Sequence, residues 1–178
     1  MTKIDPNSEH TGQRRLGKGM IVGAWVALLF MLTLFFSAYL ERQNNPNTNP
    51  ATSTTGVVKE VVLKRNRSGH YVASGSINGR KVIFLLDTGA TDVAVSDELA
   101  SSLGLRRGRR ISSQTANGVV PAWQTRLSEV GLGDIRLNNV RASILSGLDG
   151  DEVLLGMSFL QQLEMVQRGK HLLLRQHR

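Results

Sequence analysis

Hydrophobic positions along this chain fall into two regimes. From Met20 to Leu40 they run almost unbroken, 21 residues without a charge, with Thr33 and Ser37 as the polar interruptions. A helix of that length is roughly 30 Å long, the thickness of a bilayer core. A core helix would show a polar face, and this stretch has none. A cleaved signal peptide would have a shorter apolar run and a small-x-small cleavage site, whereas Phe36 and Ala38 flank Ser37. Residues 20–40 therefore predict a retained transmembrane anchor. Beyond residue 57 the apolar residues come in short runs separated by Gly, Asn and Asp, the pattern of closely spaced strands and turns.

The runs predict individual elements. His70–Ile77 and Lys81–Leu86 flank Asn78-Gly79, a strong hairpin signal, and Lys81–Leu86 reads as a buried strand. Ser96 is placed to cap a short helix over Asp97–Leu103, stopped by Gly104. Arg110–Thr115 and Val119–Val130 read as strands around an Ala116-Asn117-Gly118 turn. Ile135–Leu137 and Val140–Leu145 read as strands separated by a turn at Asn138-Asn139. Val153–Leu155 is a further buried strand ended by Gly156. Ser158–Leu163 predicts a short helix, and Leu163–Gln167 with His171–Arg175 a closing hairpin. The sum is an all-β barrel or sandwich over residues 57–178.

The polar segments divide the chain. Lys3, Arg14, Arg15 and Lys18 precede the apolar run, while only Arg42 follows it closely, and the next charge is Lys59. Basic residues stay on the cytoplasmic side, so residues 1–19 are expected in the cytoplasm and the bulk of the chain outside it. Gln43–Gly56 has no charge, no large apolar residue and two prolines, so residues 41–56 predict a flexible tether.

Composition excludes several chemistries. The chain has no cysteine, which removes disulfides, thiol nucleophiles and thiolate metal sites. His10, His70, His171 and His177 have no ligand-like spacing, so no metal or cofactor is expected. No Gly-x-Ser-x-Gly marks a serine hydrolase. Residues 57–178 hold 17 basic and 11 acidic residues, and Arg106, Arg107, Arg109 and Arg110 form the one dense cluster. Without aromatic interleaving or a recognised motif, nucleic acid is not the expected partner. A solvated loop is the plainest reading of the cluster; contact with acidic headgroups or with a substrate stays open.

The chemistry concentrates at Leu85-Leu86-Asp87-Thr88-Gly89-Ala90. An apolar strand delivers a carboxylate into a tight turn, where the hydroxyl residue can fix the loop and glycine permits close backbone approach. Asp, Thr and Gly are also ordinary turn residues, so context matters: a buried strand and a hairpin lead into them. Two carboxylates sharing one proton can activate water against a peptide bond. The chain supplies Asp-Thr-Gly once, so two copies of Asp87 would have to meet across a two-fold axis.

Phe84 to Ala90, followed later by Val153-Leu154-Leu155-Gly156, resembles the retroviral-type (retropepsin-like) aspartic peptidases, in particular their bacterial membrane-anchored Asp-Thr-Gly-Ala relatives. The likeness covers nearly all of residues 57–178. It implies an all-β acid-protease barrel with one or two short helices behind an N-terminal transmembrane helix, acting as a homodimer on peptide or protein substrates. Asp87 would be the catalytic carboxylate, Thr88 would bond its counterpart across the dimer, Gly89 and Ala90 would support the site, and Gly156 would allow a close crossing beneath it. Met157–Leu163 would supply the helix, and Ala116, Asn117 and Gly118 would lie at the flap tip. The implied location is a bacterial inner membrane, crossed once, with the peptidase domain periplasmic. One departure stands out: the aspartate and arginine that support many retroviral dimers are replaced together, by Thr91 and Met157, which leaves terminal strands as candidate dimer contacts. Asp92 is expected to cap the turn or to bind substrate. The competing readings are a catalytically silent peptidase-like binding module tethered at the membrane, and a basic membrane-proximal module using Arg106–Arg110.

Overall fold

The computed structural model describes residues 9–115, 118–148 and 152–177. The chain divides into two units, Met1–Glu41 and Arg42–Arg178. The first is dominated by helix α1 (Glu9–Asn44). Within it, Gly19–Asn44 reaches a mean hydropathy of 2.3 over an 18-residue window, none of it buried. By length and composition this is a membrane span or a signal sequence.

The second unit is built of strands β1 (Ala51–Thr55), β2 (Val58–Lys64), β3 (Val72–Ile77), β4 (Arg80–Leu86) and β5 (Val93–Ser96), helix α2 (Asp97–Ser102), strands β6 (Arg110–Thr115), β7 (Gly118–Leu132), β8 (Ile135–Leu145) and β9 (Glu152–Leu155), helix α3 (Met157–Leu160), and strands β10 (Glu164–Arg168) and β11 (His171–His177). One sheet has the order β3-β4-β9-β5-β8-β7-β6. A second contact of β7, Ser76↔Gly131 and Ile77↔Val130, joins it to β3 and closes six strands into a barrel, with β6 as an arm off β7. The other sheet, β1-β2-β11-β10, is antiparallel throughout.

Local chemistry explains most of these elements. The β3–β4 turn takes Asn78 at φ 51° and Gly79 at φ 79°, the primed turn that matches strand twist. Ser96 caps α2, its Oγ accepting the Leu99 N–H at 3.2 Å. Phe84, Phe159, Ile77, Leu127, Leu132 and Ile144 are fully buried in the main core.

The structure departs from the sequence expectation in three places. Asn138-Asn139 is not a turn: β8 runs through it, because pairing with β7 keeps one register from Leu127↔Val140 to Glu129↔Asn138. Asn139 tolerates φ 55° there, and the Arg126 guanidinium bonds its side-chain oxygen at 3.0 Å. The helix after Gly156 stops at Leu160 instead of reaching Leu163. Within the segment read as a tether, Ala51–Thr55 pairs with β2, and Asn47 is buried. The Asn47 amide supplies the reason: it donates to the carbonyls of Lys64 (2.9 Å) and Val72 (2.7 Å) and accepts the Lys64 N–H (2.7 Å), so it satisfies strand groups that would otherwise need water.

Candidate active site

Strands β4 and β9 run side by side and parallel, in register from Ile83↔Glu152 to Leu86↔Leu155. Strand β5 lies on the far side of β9, paired at Ala94↔Leu154. The link from β4 to β5 must therefore arch across the end of β9, and that arch is Asp87–Asp92. Gly156, the first residue after β9, passes beneath it. A Cβ on Gly156 would overlap the carbonyl oxygen of Asp92 and lie 2.7 Å from that of Ala90, so only glycine fits without backbone movement.

Backbone hydrogen bonds clamp the crossing. Asp87 N–H donates to Leu155 O (3.2 Å), Met157 N–H to Ala90 O (2.8 Å) and Ser158 N–H to Thr91 O (2.9 Å). Thr91 and Met157, where a charged pair stands in many retroviral enzymes, thus brace the arch through main-chain groups. The buried Ser158 adds a further tie: its Oγ donates to Arg141 O (2.7 Å) and accepts the Val93 N–H (3.0 Å). Nothing local in the sequence marks Ser158, because its partners lie 17 and 65 residues away.

Asp87 sits half-buried at the start of the arch, and its Oδ1 accepts the Gly89 N–H at 2.8 Å. That bond steers the carboxylate. Thr88 and Gly89 are exposed on the arch and Ala90 is half-buried. Asp87, Gly89 and Ala90 open onto a cleft of about 710 Å³, whose other wall is the β6–β7 hairpin. A small apolar cluster of Ala94, Ile111, Val120, Leu145, Leu148 and Leu154 lines it, separate from the main core. The sequence did not reveal this cluster, since its members come from five segments. Such a cleft suits a chain with apolar side chains.

At the hairpin, Gly118 opens β7 with φ 110°, and Thr115 Oγ1 donates to Gly118 O at 2.9 Å. Ala116 and Asn117 lie outside the described residues. Asp92 ends the arch with Oδ1 3.5 Å from Arg141 Nε, an ion pair too long for a strong hydrogen bond. Among the described residues no three His, Asp or Glu side chains converge as a metal site.

Comparison with known proteins agrees with this architecture. The family described as gag-polyprotein putative aspartyl protease matches residues 73–162. An uncharacterized protein in the cobV 5′ region of a Sinorhizobium species is 36% identical over 112 residues, 61% of this chain and 48% of the relative. The uncharacterized protein RP867 of Rickettsia prowazekii (strain Madrid E) is 30% identical over 128 residues, 70% of this chain and 54% of the relative. The chain thus spans about half the length of the curated relatives it matches. A crystal structure of a retropepsin-like aspartic protease from Rickettsia conorii superimposes with a TM-score of 0.54 at 30% identity, covering 72% of this chain and 94% of that one. With the Asp-Thr-Gly arch clamped over the strand that leads into Gly156, and the family match extending across both, this chain belongs to the retropepsin-like aspartic proteases.

Proposed function

We propose that the protein is a membrane-anchored aspartic endopeptidase whose active unit is a homodimer, with one Asp87 from each copy. The reading rests above all on the placement of Asp87: a carboxylate oriented by Gly89 N–H, held on a braced arch and open to a cleft sized for a peptide. In the paired site one Asp87 is ionised and takes a proton from water as the water attacks the scissile carbonyl. The other is protonated, polarises that carbonyl and then passes a proton to the leaving amine. Two carboxylates so close cannot both ionise easily, so the pair shares one proton. Thr88, exposed at the arch, bonds its counterpart across the dimer. Gly118 and its hairpin form the flap, and α1 holds the enzyme in a bacterial inner membrane with its peptidase domain on the periplasmic side.

The test is Asp87→Asn in the full chain, assayed against a peptide library in detergent. Cleavage should fall by at least about 1000-fold with the melting temperature unchanged. Wild-type specific activity should rise with enzyme concentration, as pairing requires. A folded Asp87→Asn protein that cleaves at the wild-type rate would overturn the reading.

A further inference from the structure

A second cleft, of about 610 Å³, lies beside the first and shares Asp92 with it. Its lining includes Arg106, Arg107, Arg109, Arg126 and Arg141. The first three come from the loop between α2 and β6, the other two from β7 and β8.

This loop is fastened to the barrel. Gly108 N–H donates to Gln124 O (2.8 Å), Gln124 N–H to Arg109 O (2.9 Å), and Thr125 Oγ1 to Arg106 O (2.9 Å). A Cβ on Gly108 would come within 2.7 Å of Gln124 O, so glycine sets how closely loop and strand approach. The Arg107 guanidinium stacks over Trp123, 4.4 Å from the ring centre, and pairs with Asp97 at 2.6 Å. Three arginines are therefore held in place along one wall.

The opposite wall is electrostatically unfavourable as it stands. Arg126 and Arg141 are direct cross-strand partners, and like charges in that position repel. Arg141 has the long contact with Asp92. Among the described residues, no carboxylate lies within ion-pair distance of Arg106, Arg109 or Arg126. Five arginines, a residue type suited to paired hydrogen bonds with carboxylates, thus line one cleft, with Asp92 and Asp97 as acidic neighbours.

We propose that this cleft receives acidic side chains of the peptide substrate, on the stretch flanking the bond to be cut. The proposal rests on the peptidase reading of the Asp87 cleft. A peptide leaving that cleft past Asp92 enters the arginine cleft directly. The charges stand on two walls instead of converging on one point, which suits several carboxylates spaced along an extended chain. Asn78, Gln124 and Ser128 supply neutral polar groups between them for its main chain.

The experiment uses the full chain carrying Asp87→Asn in zwitterionic detergent, with fluorescein-labelled hexaglutamate followed by anisotropy. Saturable binding is expected, weakening as salt rises from about 50 to about 300 mM. Both Arg126→Gln/Arg141→Gln and Arg106→Gln/Arg109→Gln should weaken it at least about tenfold. Lys59→Gln/Lys170→Gln, which removes the same charge from the other sheet, should leave it in place. Absence of binding, or an equal loss in the lysine variant, overturns the proposal. So does tighter arginine-dependent binding to phosphatidylglycerol vesicles or to an RNA oligonucleotide than to hexaglutamate. Because cleavage is switched off in this assay, a wild-type enzyme that cuts neutral peptides while hexaglutamate fails to bind refutes the cleft and spares the peptidase reading. Binding without any cleavage by wild type does the reverse.

Discussion

The arch that carries Asp87 and the hairpin that faces it across the cleft are held by opposite means. The arch has almost no regular structure, yet β9 and the start of α3 both bond to it, and no space is left at Gly156. The hairpin is regular, but among the described residues from Ile111 to Val120 its ladder bonds join β6 and β7 only to each other. Its side chains alternate between half-buried and exposed, and Val119 is 69% exposed. Rigidity in this molecule follows the number of independent strands that meet, not the amount of regular structure. The floor of the cleft is tied to several elements, and its roof to fewer.

The sharpest way to break that contrast is Gly156→Ala. A methyl group there forces backbone oxygens apart, so the substitution should cost about 3 kcal/mol. Calorimetry on the full chain should show the melting temperature falling by roughly 10 °C. An unchanged melting temperature would mean that the crossing is loose. Next in size is Ser158→Ala, which leaves the buried Val93 N–H without its acceptor and should cost about 2 kcal/mol. Chemical denaturation would measure it, and a cost no larger than a surface change would remove Ser158 from the clamp.

On the hairpin the expected effects are small in stability and visible in binding. Val119→Ser should change stability by less than about 0.5 kcal/mol. Peptide hydrolysis should show KM raised about fivefold at constant kcat, the loss of one apolar contact. A large fall in melting temperature would instead place the hairpin in the folding core.

The smallest effect belongs to the terminal sheet, away from both arch and hairpin. A hydrogen bond from His177, helped by the positive charge of Arg175, holds the Glu164 carboxyl below its ordinary value. Since the folded value is the lower one, this contribution is complete above the usual carboxylate value of 4.5 and is lost as pH falls through the folded value. Glu164→Gln should flatten the acid side of the stability–pH curve slightly, and matching curves for the two proteins would disprove the linkage.

The features legible in the sequence are those written locally. Asp87-Thr88-Gly89 follows an apolar run, Ser96 precedes Asp97-Glu98, and Asn78-Gly79 joins two strand-like segments, so each is recognisable within a few residues. The parts that escaped depend on distant partners. Ala51–Thr55 is polar and wholly exposed, so no hydrophobic alternation marks it, yet β2 offers a free edge. Asn138-Asn139 has turn composition, but the long register with β7 overrides it. The arginine loop is exposed, as a solvated run would be, but its ties to Gln124 and Thr125 are not legible, because no spacing rule connects residues 106–109 with 124–125.

The terminal sheet has one more implication. Strand β11 is already flanked by β2 on one side and β10 on the other, all from one polypeptide. Its chain ends are therefore satisfied before a second molecule arrives, and only the outer edges of β1 and β10 stay open. Holding shape and doing work then become separate events. If the working unit is the Asp87 pair and pairing is weak, the number of active pairs grows as the square of surface density, so twice the copies on a membrane give about four times the proteolysis. Expression level would then set the onset of cutting.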